Sequence, residues 1–323
     1  MDKIKIILAA VLLLLFNTLS AQQVPAVEEN IPFLVTFAKQ ADTKWGDDDY
    51  CQVFFFLVPA DYKSPVYLKV FDPDCGGTHD ESNMGFNSMM RYSVYGGSGC
   101  ISDAEARSTH PKGNYASGNL LGTKTFGVDA KYDNNWYTFG PFNPVEGELS
   151  QTYGGYIFKL ICEGIKGDDG NLYRYFMSTK PDSNIPVEGG NAFTFEYSFR
   201  LHGEAGQTSH VYPYIDDRVV SIMQNNFDWD GDGQIRLFSS VTIGTAMTTS
   251  GDNTWAQSMY KVTEAEKGKS LDVQFLRTGS SPVNNNNVVF YITNQYGELL
   301  PFYTIPLGGL HSPKGKMKIS AKK

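Results

Sequence analysis

Apolar and polar residues alternate in short runs along nearly the whole chain. The runs fall at 33–37, 53–58, 66–71, 91–95, 120–126, 137–142, 156–161 and 172–177. They resume at 192–201, 211–215, 219–223, 234–238, 257–262, 271–276, 288–293 and 299–305. Each is rich in Val, Ile, Phe or Tyr and is bounded by Gly, Asn, Asp or Pro, the composition of strands punctuated by turns. No long stretch carries the period of an amphipathic helix. The pattern predicts an all-β protein built as two β-sandwich or jelly-roll-like domains. The break Pro186-Val187-Glu188-Gly189-Gly190 divides 22–188 from 189–308, leaving a basic tail over 309–323. One continuous array of sandwich strands is the alternative.

Consecutive runs on either side of a turn predict hairpins. Folding the chain about residue 63 pairs 53–58 with 66–71 and sets Cys51 opposite Cys75. It also brings Asp47, Asp48 and Asp49 to the end that carries Asp72 and Asp74. A second hairpin is expected between 137–142 and 156–161. The chain has four cysteines. Cys51–Cys75 and Cys100–Cys162 are the expected disulfides, with buried free thiols as the alternative. No Cys-x-x-Cys is present, which argues against thiol redox chemistry and structural zinc.

Disulfides are permissible because the N-terminus has the form of a secretory leader. Lys3 and Lys5 precede an apolar run over 6–16 and a stretch ending in Ala21, so 1–21 is expected to be a signal peptide. The run is too short to span a bilayer, and no second long apolar stretch follows. No transmembrane segment is expected, and a secreted, periplasmic or surface-associated location is. The leader, ending Leu-Ser-Ala-Gln-Gln, resembles those of exported Bacteroidetes proteins. The formal net charge is -8. The leader's Lys3, Lys5 and Asp2 sum to +1, so the mature chain is one charge more acidic. Nucleic acid and anionic membrane surfaces are therefore poor partners.

Acidic loops provide the candidate chemistry. Asp228, Asp230 and Asp232 stand in Asp-x-Asp-x-Asp-Gly, the first half of a calcium-binding loop. Ser239 occupies the position where an EF-hand requires Glu, and a strand pattern follows, so a β-hairpin calcium loop is expected instead. Asp216 and Asp217 are possible further ligands. Asp72, Asp74 and Asp80, with Asp48, make a second candidate calcium site, since oxygen-only ligands suit that ion. Gly167 to Asn171 has the composition of a simple turn.

Three tetrapeptides, Asp42-Thr43-Lys44-Trp45, Asp133-Asn134-Asn135-Trp136 and Asp252-Asn253-Thr254-Trp255, share the form Asp-x-x-Trp, each ahead of a strand, a polar turn and another strand. This unit resembles the small β-sandwich modules attached to secreted bacterial peptidases, the pre-peptidase C-terminal domains. The resemblance implies an accessory or binding role rather than catalysis.

Catalytic signatures are sparse. None of the five histidines stands in His-Glu-x-x-His, and Gly96-Gly97-Ser98-Gly99-Cys100 lacks the last glycine of a nucleophile elbow. A carboxylate pair such as Glu163 with Glu196 is the remaining candidate for glycoside hydrolysis. The twenty-one Phe and nineteen Tyr suit either strand packing or a sugar-binding face. Tyr95, Tyr132 and Trp136, with Tyr153 and Tyr156, flank turns and are the candidates for ligand contact. The expected function is a secreted, non-catalytic, calcium-stabilised module that binds an extracellular glycan or protein; the alternative is a secreted polysaccharide hydrolase.

Overall fold

The structure, a computed structural model, describes residues 23–229, 233–279 and 285–309. The strands in chain order begin β1 (Gln23–Val24), β2 (Phe33–Phe37), β3 (Cys51–Pro59), β4 (Val66–Phe71), β5 (Met89–Gly96), β6 (Asn119–Phe126), β7 (Trp136–Phe142) and β8 (Glu148–Ser150). Next come β9 (Gly155–Lys166), β10 (Gly170–Ser178), β11 (Asn191–Thr194), β12 (Glu196–Arg200), β13 (Thr208–Val211), β14 (Tyr214–Ile215) and β15 (Ser221–Phe227). The series ends with β16 (Gly233–Phe238), β17 (Thr245–Met247), β18 (Trp255–Lys261), β19 (Lys269–Ser270), β20 (Asp272–Arg277), β21 (Asn287–Asn294) and β22 (Phe302–Tyr303). Short 3-10 turns and no α-helix complete the described residues, so the all-β expectation holds. Among those residues no helix is long and apolar enough to cross a membrane. The expected signal peptide and nearly all of the basic tail lie outside them.

A nine-stranded sheet runs β18-β15-β21-β12-β2-β10-β4-β7, with β1 also paired to β10. A seven-stranded sheet runs β22-β11-β3-β9-β5-β6, with β8 on β9. A four-stranded sheet, β13-β20-β16-β17, and the pair β14-β19 complete the set. β12 bonds to β2 on one side and β21 on the other, so segments before and after residue 190 share one sheet.

Period-two alternation explains the layers. Val66, Leu68 and Val70 on β4 and Tyr173, Tyr175 and Met177 on β10 are buried against Phe54, Phe56, Phe158 and Leu160 from the seven-stranded sheet. Tyr197, Phe199, Phe290 and Ile292 extend the same core to Ile235, Val273 and Phe275. Each such side chain contributes about 1.5–3 kcal/mol on burial. The other face of β3 and β9 carries a smaller cluster of Phe55, Ile157, Phe193, Phe195 and Tyr303.

Two hairpin expectations are corrected. β3 pairs with β9 and β11, whereas β4 pairs with β10 and β7. The turn at 60–65 is thus a crossing between sheets. The strands at 136–142 and 155–166 likewise lie in different sheets. The disulfide expectation falls with them: Cys51, Cys75, Cys100 and Cys162 are buried free thiols. Cys51 faces Glu163 across the β3–β9 ladder, not Cys75. Cys162 belongs to the main core, while Cys100 belongs to the smaller cluster on the other side of the sheet.

Candidate functional site

The loop into β3 carries three successive aspartates, and the fold gives them different roles. A short 3-10 turn, Thr43–Trp45, ends at Gly46 with φ of +95°. A Cβ at Gly46 would lie 2.5 Å from Asn287 Cβ, so the turn requires glycine. Asp47 then accepts the amides of Phe37 (3.0 Å) and Asp49 (3.4 Å), fastening the loop to β2. Asp49 Oδ1 accepts the Cys51 amide at 2.6 Å. Asp48 Oδ1 and Asp49 Oδ2 are buried with no hydrogen-bond partner.

Glu196 reaches these carboxylates from β12. It stands among Phe195, Tyr197 and Phe199, alternating to the face opposite the buried Tyr197 and Phe199. The Ser198 amide donates to Gln52 Oε1 at 3.0 Å, which holds β12 against the start of β3. Glu196 Oε2 is also buried without a partner. His110 is the counter-ion: its Nδ1 lies 3.6 Å from both Asp48 Oδ2 and Asp49 Oδ2. Burial, then the Asp49 charge, pushes Asp48 up to about 7. Burial raises Asp49, against the opposing effect of His110. Glu196 is raised well above the carboxylate range by burial, and further by Asp48, Asp49 and Asp47. The contact with Asp49 raises His110. Buried acids whose affinity for the proton is raised, beside an imidazole, are equipped for proton transfer.

His110 sits on the long connection from β5 to β6, which is pinned at several points. Glu148 accepts the amides of Ile101 (2.6 Å) and Ser102 (3.1 Å). The buried Lys159 ammonium donates to Tyr115 O (2.7 Å) and Ser117 Oγ (3.1 Å). Burial lowers Lys159 to about 8. Asp47, Asp48, Asp49, Tyr50, His110 and Lys112 line a cavity of about 420 Å³. Lys112 also borders a larger cavity of about 760 Å³, which Arg107, Tyr153, Phe195, Tyr214 and Tyr303 help to line. Tyr291, opposite Glu196 in the ladder, meets Trp255 in a tilted contact with ring centres 5.3 Å apart. Trp255 is 39% exposed.

A second acidic cluster joins the loop after β4 to the loop before β7. Asp72, Asp74 and Asp133 offer carboxylate oxygens that all lie within 4.8 Å of one another. The Asn134 amide donates to Asp72 Oδ1 and the Asp129 amide to Asp74 Oδ2, both at 3.0 Å. Asp74 Oδ1 and Asp133 Oδ1 remain buried and unpartnered. Gly77, at φ +73°, passes so close that a Cβ there would lie 2.9 Å from Asp133 Cγ. Burial is the main force lifting Asp74 to about 7, with Asp133 and Asp72 adding to it.

No family model matches the chain, and no curated protein does. Among solved structures, a peptide-N(4)-(N-acetyl-β-D-glucosaminyl)asparagine amidase is similar at 7% identity and a TM-score of 0.23, covering 84% of this chain and 99% of that one. The CUB1-EGF-CUB2 region of human MASP-1/3 is similar at 9% identity and a TM-score of 0.21, covering 81% and 99%. Neither likeness bears on what this chain does.

The sequence-predicted residues divide between these places. Asp72 and Asp74 meet, but their third partner is Asp133. Asp80 is a neighbour whose two oxygens take the Gly76 and Leu172 amides, each at 2.7 Å. Asp48 belongs to the other cluster. Asp228, at φ 59°, is buried and accepts the Asn253 amide, while Asp230 and Asp232 lie outside the described residues. Asp216 pairs with Arg218 at 3.3 Å. Both oxygens of Glu163 are engaged: Arg91 Nε (3.1 Å) and Nη2 (2.9 Å) and the Tyr115 hydroxyl (2.7 Å) all donate to it. Tyr95 and Tyr132 pack on the apolar clusters. Tyr156 packs likewise, and Tyr153 stacks on Phe193 at 4.7 Å beside the larger cavity. Trp136 lies between Phe71 (5.3 Å) and Phe176 (6.3 Å), with Lys69 over its ring. Asp169, whose loop was expected to be a simple turn, accepts the amides of Asn83, Asn87 and Ser88 and anchors that segment.

Sequence reasoning placed Asp49 beside Asp72 and Asp74 rather than with His110, and missed His110 and Asp133 as partners. Glu196 carried one visible signal, a lone acid within the apolar run Phe195-Glu196-Tyr197.

Proposed function

We propose that the protein is an exported hydrolase acting on a polysaccharide, with Asp48, Asp49 and Glu196 as its acid/base machinery and His110 as the counter-ion of the two aspartates. One observation carries the reading: Asp48 and Asp49 meet one imidazole beside a cavity, each with a buried, unpartnered carboxylate oxygen, and the buried, unpartnered Glu196 lies within their electrostatic reach. A buried carboxyl raised towards neutrality donates a proton to a leaving oxygen, while an ionised neighbour takes one from water. Asp48 or Glu196 suits the donor, being raised by burial and like charge, and Asp49, beside His110, suits the base. Aromatic faces at Tyr291, Trp255 and Tyr153 supply stacking platforms for sugar rings. The larger cavity shares Lys112 with the acidic one, giving room for further units of a chain. The basic, then apolar, leader supports export.

A non-catalytic glycan-binding module is the second reading, favoured by the aromatic lining of the larger cavity. A panel of polysaccharides, scored for both binding and hydrolysis, separates the two. Asp49→Asn and Glu196→Gln are expected to lower turnover by about 10²-fold or more while leaving binding intact. Binding by the unmodified protein with no turnover on any glycan would favour the module; neither binding nor turnover would remove both readings.

A further inference from the structure

We propose that Asp72, Asp74 and Asp133 form a site for a divalent, oxygen-preferring cation, with calcium as the candidate. The site is separate from the acid/base residues of the proposed hydrolase and would stand if that reading failed.

The three carboxylates come from two loops that are already laced together. The Asp72 amide donates to Asn135 O (2.9 Å), and the Cys75 amide to Gly127 O (3.3 Å). Asp72 and Asp74 each spend one oxygen on a backbone amide of the facing loop, which fixes their orientation. Asp74 is 0% exposed, yet its Oδ1 has no partner, and neither has Asp133 Oδ1. Buried carboxylate oxygens left unbonded are costly unless a cation, or a proton shared between the facing Asp74 and Asp133, supplies the missing contact. The spread of the ligand atoms, within 4.8 Å, is what oxygens on one ion's shell adopt at calcium–oxygen distances of about 2.3–2.6 Å. An all-oxygen set without His or Cys excludes the softer transition metals as preferred occupants. Asp80 is held nearby by two backbone amides and adds negative charge. The positive groups His79 and Arg174 act on Asp72. A bound ion would lock the β4 exit loop to the β7 entry loop.

Thermal unfolding of the full mature chain, in chelator and with added calcium or magnesium, tests this. Calcium is expected to raise Tm by several degrees and magnesium by less. Asp74→Asn and Asp133→Asn remove charge at nearly constant shape. Each is expected to unfold in chelator no earlier than the parent, because repulsion is relieved, and to lose the calcium response. Direct calcium binding by titration calorimetry should disappear in the same variants and persist in Asp48→Asn. Absence of any calcium effect on the parent overturns the proposal, as does an undiminished response in both variants. Should either variant fail to fold, calorimetry on the remaining one decides. Should both fail, a parent that binds no calcium by calorimetry overturns the site, and one-to-one binding supports it.

Discussion

The loop before β3 and the loop after β4 both crowd buried carboxylates, but they neutralise them differently. At Asp48 and Asp49 the chain supplies its own cation, His110, from a connection pinned by Lys159 and Glu148. At Asp72, Asp74 and Asp133 the influences on the most buried member, Asp74, are burial, one backbone hydrogen bond and other acids. A fixed imidazole permits proton exchange with water and substrate. At the second cluster His79 and Arg174 act on Asp72 but are not among the influences on Asp74, whose unbonded Oδ1 calls for an ion from solution. Similar residue types thus point one cluster towards chemistry and the other towards stability.

The largest effect that could break this contrast lies in pH. Asp48 has an ordinary value of 3.8 and stands at about 7 in the fold. Between those values the unfolded chain has released a proton that the native site keeps. Stability is therefore fullest below about pH 4 and falls as pH rises towards 7, by at most about 1.4 kcal/mol per pH unit for one proton. Asp48→Asn removes this linkage and should flatten the decline in urea unfolding measured across that window in chelator. A slope unchanged by the substitution would show that Asp48 does not hold the proton, and the catalytic half of the contrast would fall.

Much of the fold was legible because burial on one face imposes alternation, as in Val66, Leu68 and Val70 or Tyr173, Tyr175 and Met177. Pairing was not legible. In a sandwich the chain repeatedly crosses to the opposite sheet, so a Pro-bounded turn such as 60–65 has the composition of a hairpin turn and is a crossing. The Cys51–Cys75 register rested on that turn and was lost with it. Among the acids, Asp72 and Asp74 were found through local crowding, but Asp133 reaches them only through the β4–β7 pairing. Its place in the Asp-x-x-Trp unit gave no spacing signal towards Asp74. His110 lies in a polar tract with no periodicity, and only the folded connection brings it to Asp49.

Removing the internal cation is the next test. His110→Ala leaves Asp48 and Asp49 without a counter-charge. His110 is raised above 6.5 in the fold, so its stabilisation is complete below that pH and lost above the raised value. Its side chain is 42% exposed, and solvent screening limits the expected loss to about 1 kcal/mol. Urea unfolding should show that loss at pH 6 and none at pH 9. The variant should also acquire a calcium response at the first cluster. An identical loss at both pH values would mean that the ring contributes packing and not charge, and the contrast between the clusters would weaken.

The smallest effect concerns Glu163, the acid first paired with Glu196 on sequence grounds. Both of its oxygens are engaged, Oε2 by Arg91 and Oε1 by Tyr115, which ties the carboxylate into a structural network. Glu163→Gln keeps the shape and replaces charge-assisted bonds by neutral ones. One amide hydrogen would also face a donor, either the guanidinium or the tyrosine hydroxyl. The expected cost is about 1 kcal/mol of stability. Turnover should stay within about threefold of the parent, since charge at Glu163 is not part of the proposed proton path. A fall comparable to that of Glu196→Gln would move Glu163 into the catalytic set. The Arg91 and Tyr115 contacts would then be what orients it, and Asp48 and Asp49 would lose their claim to be the acid/base pair.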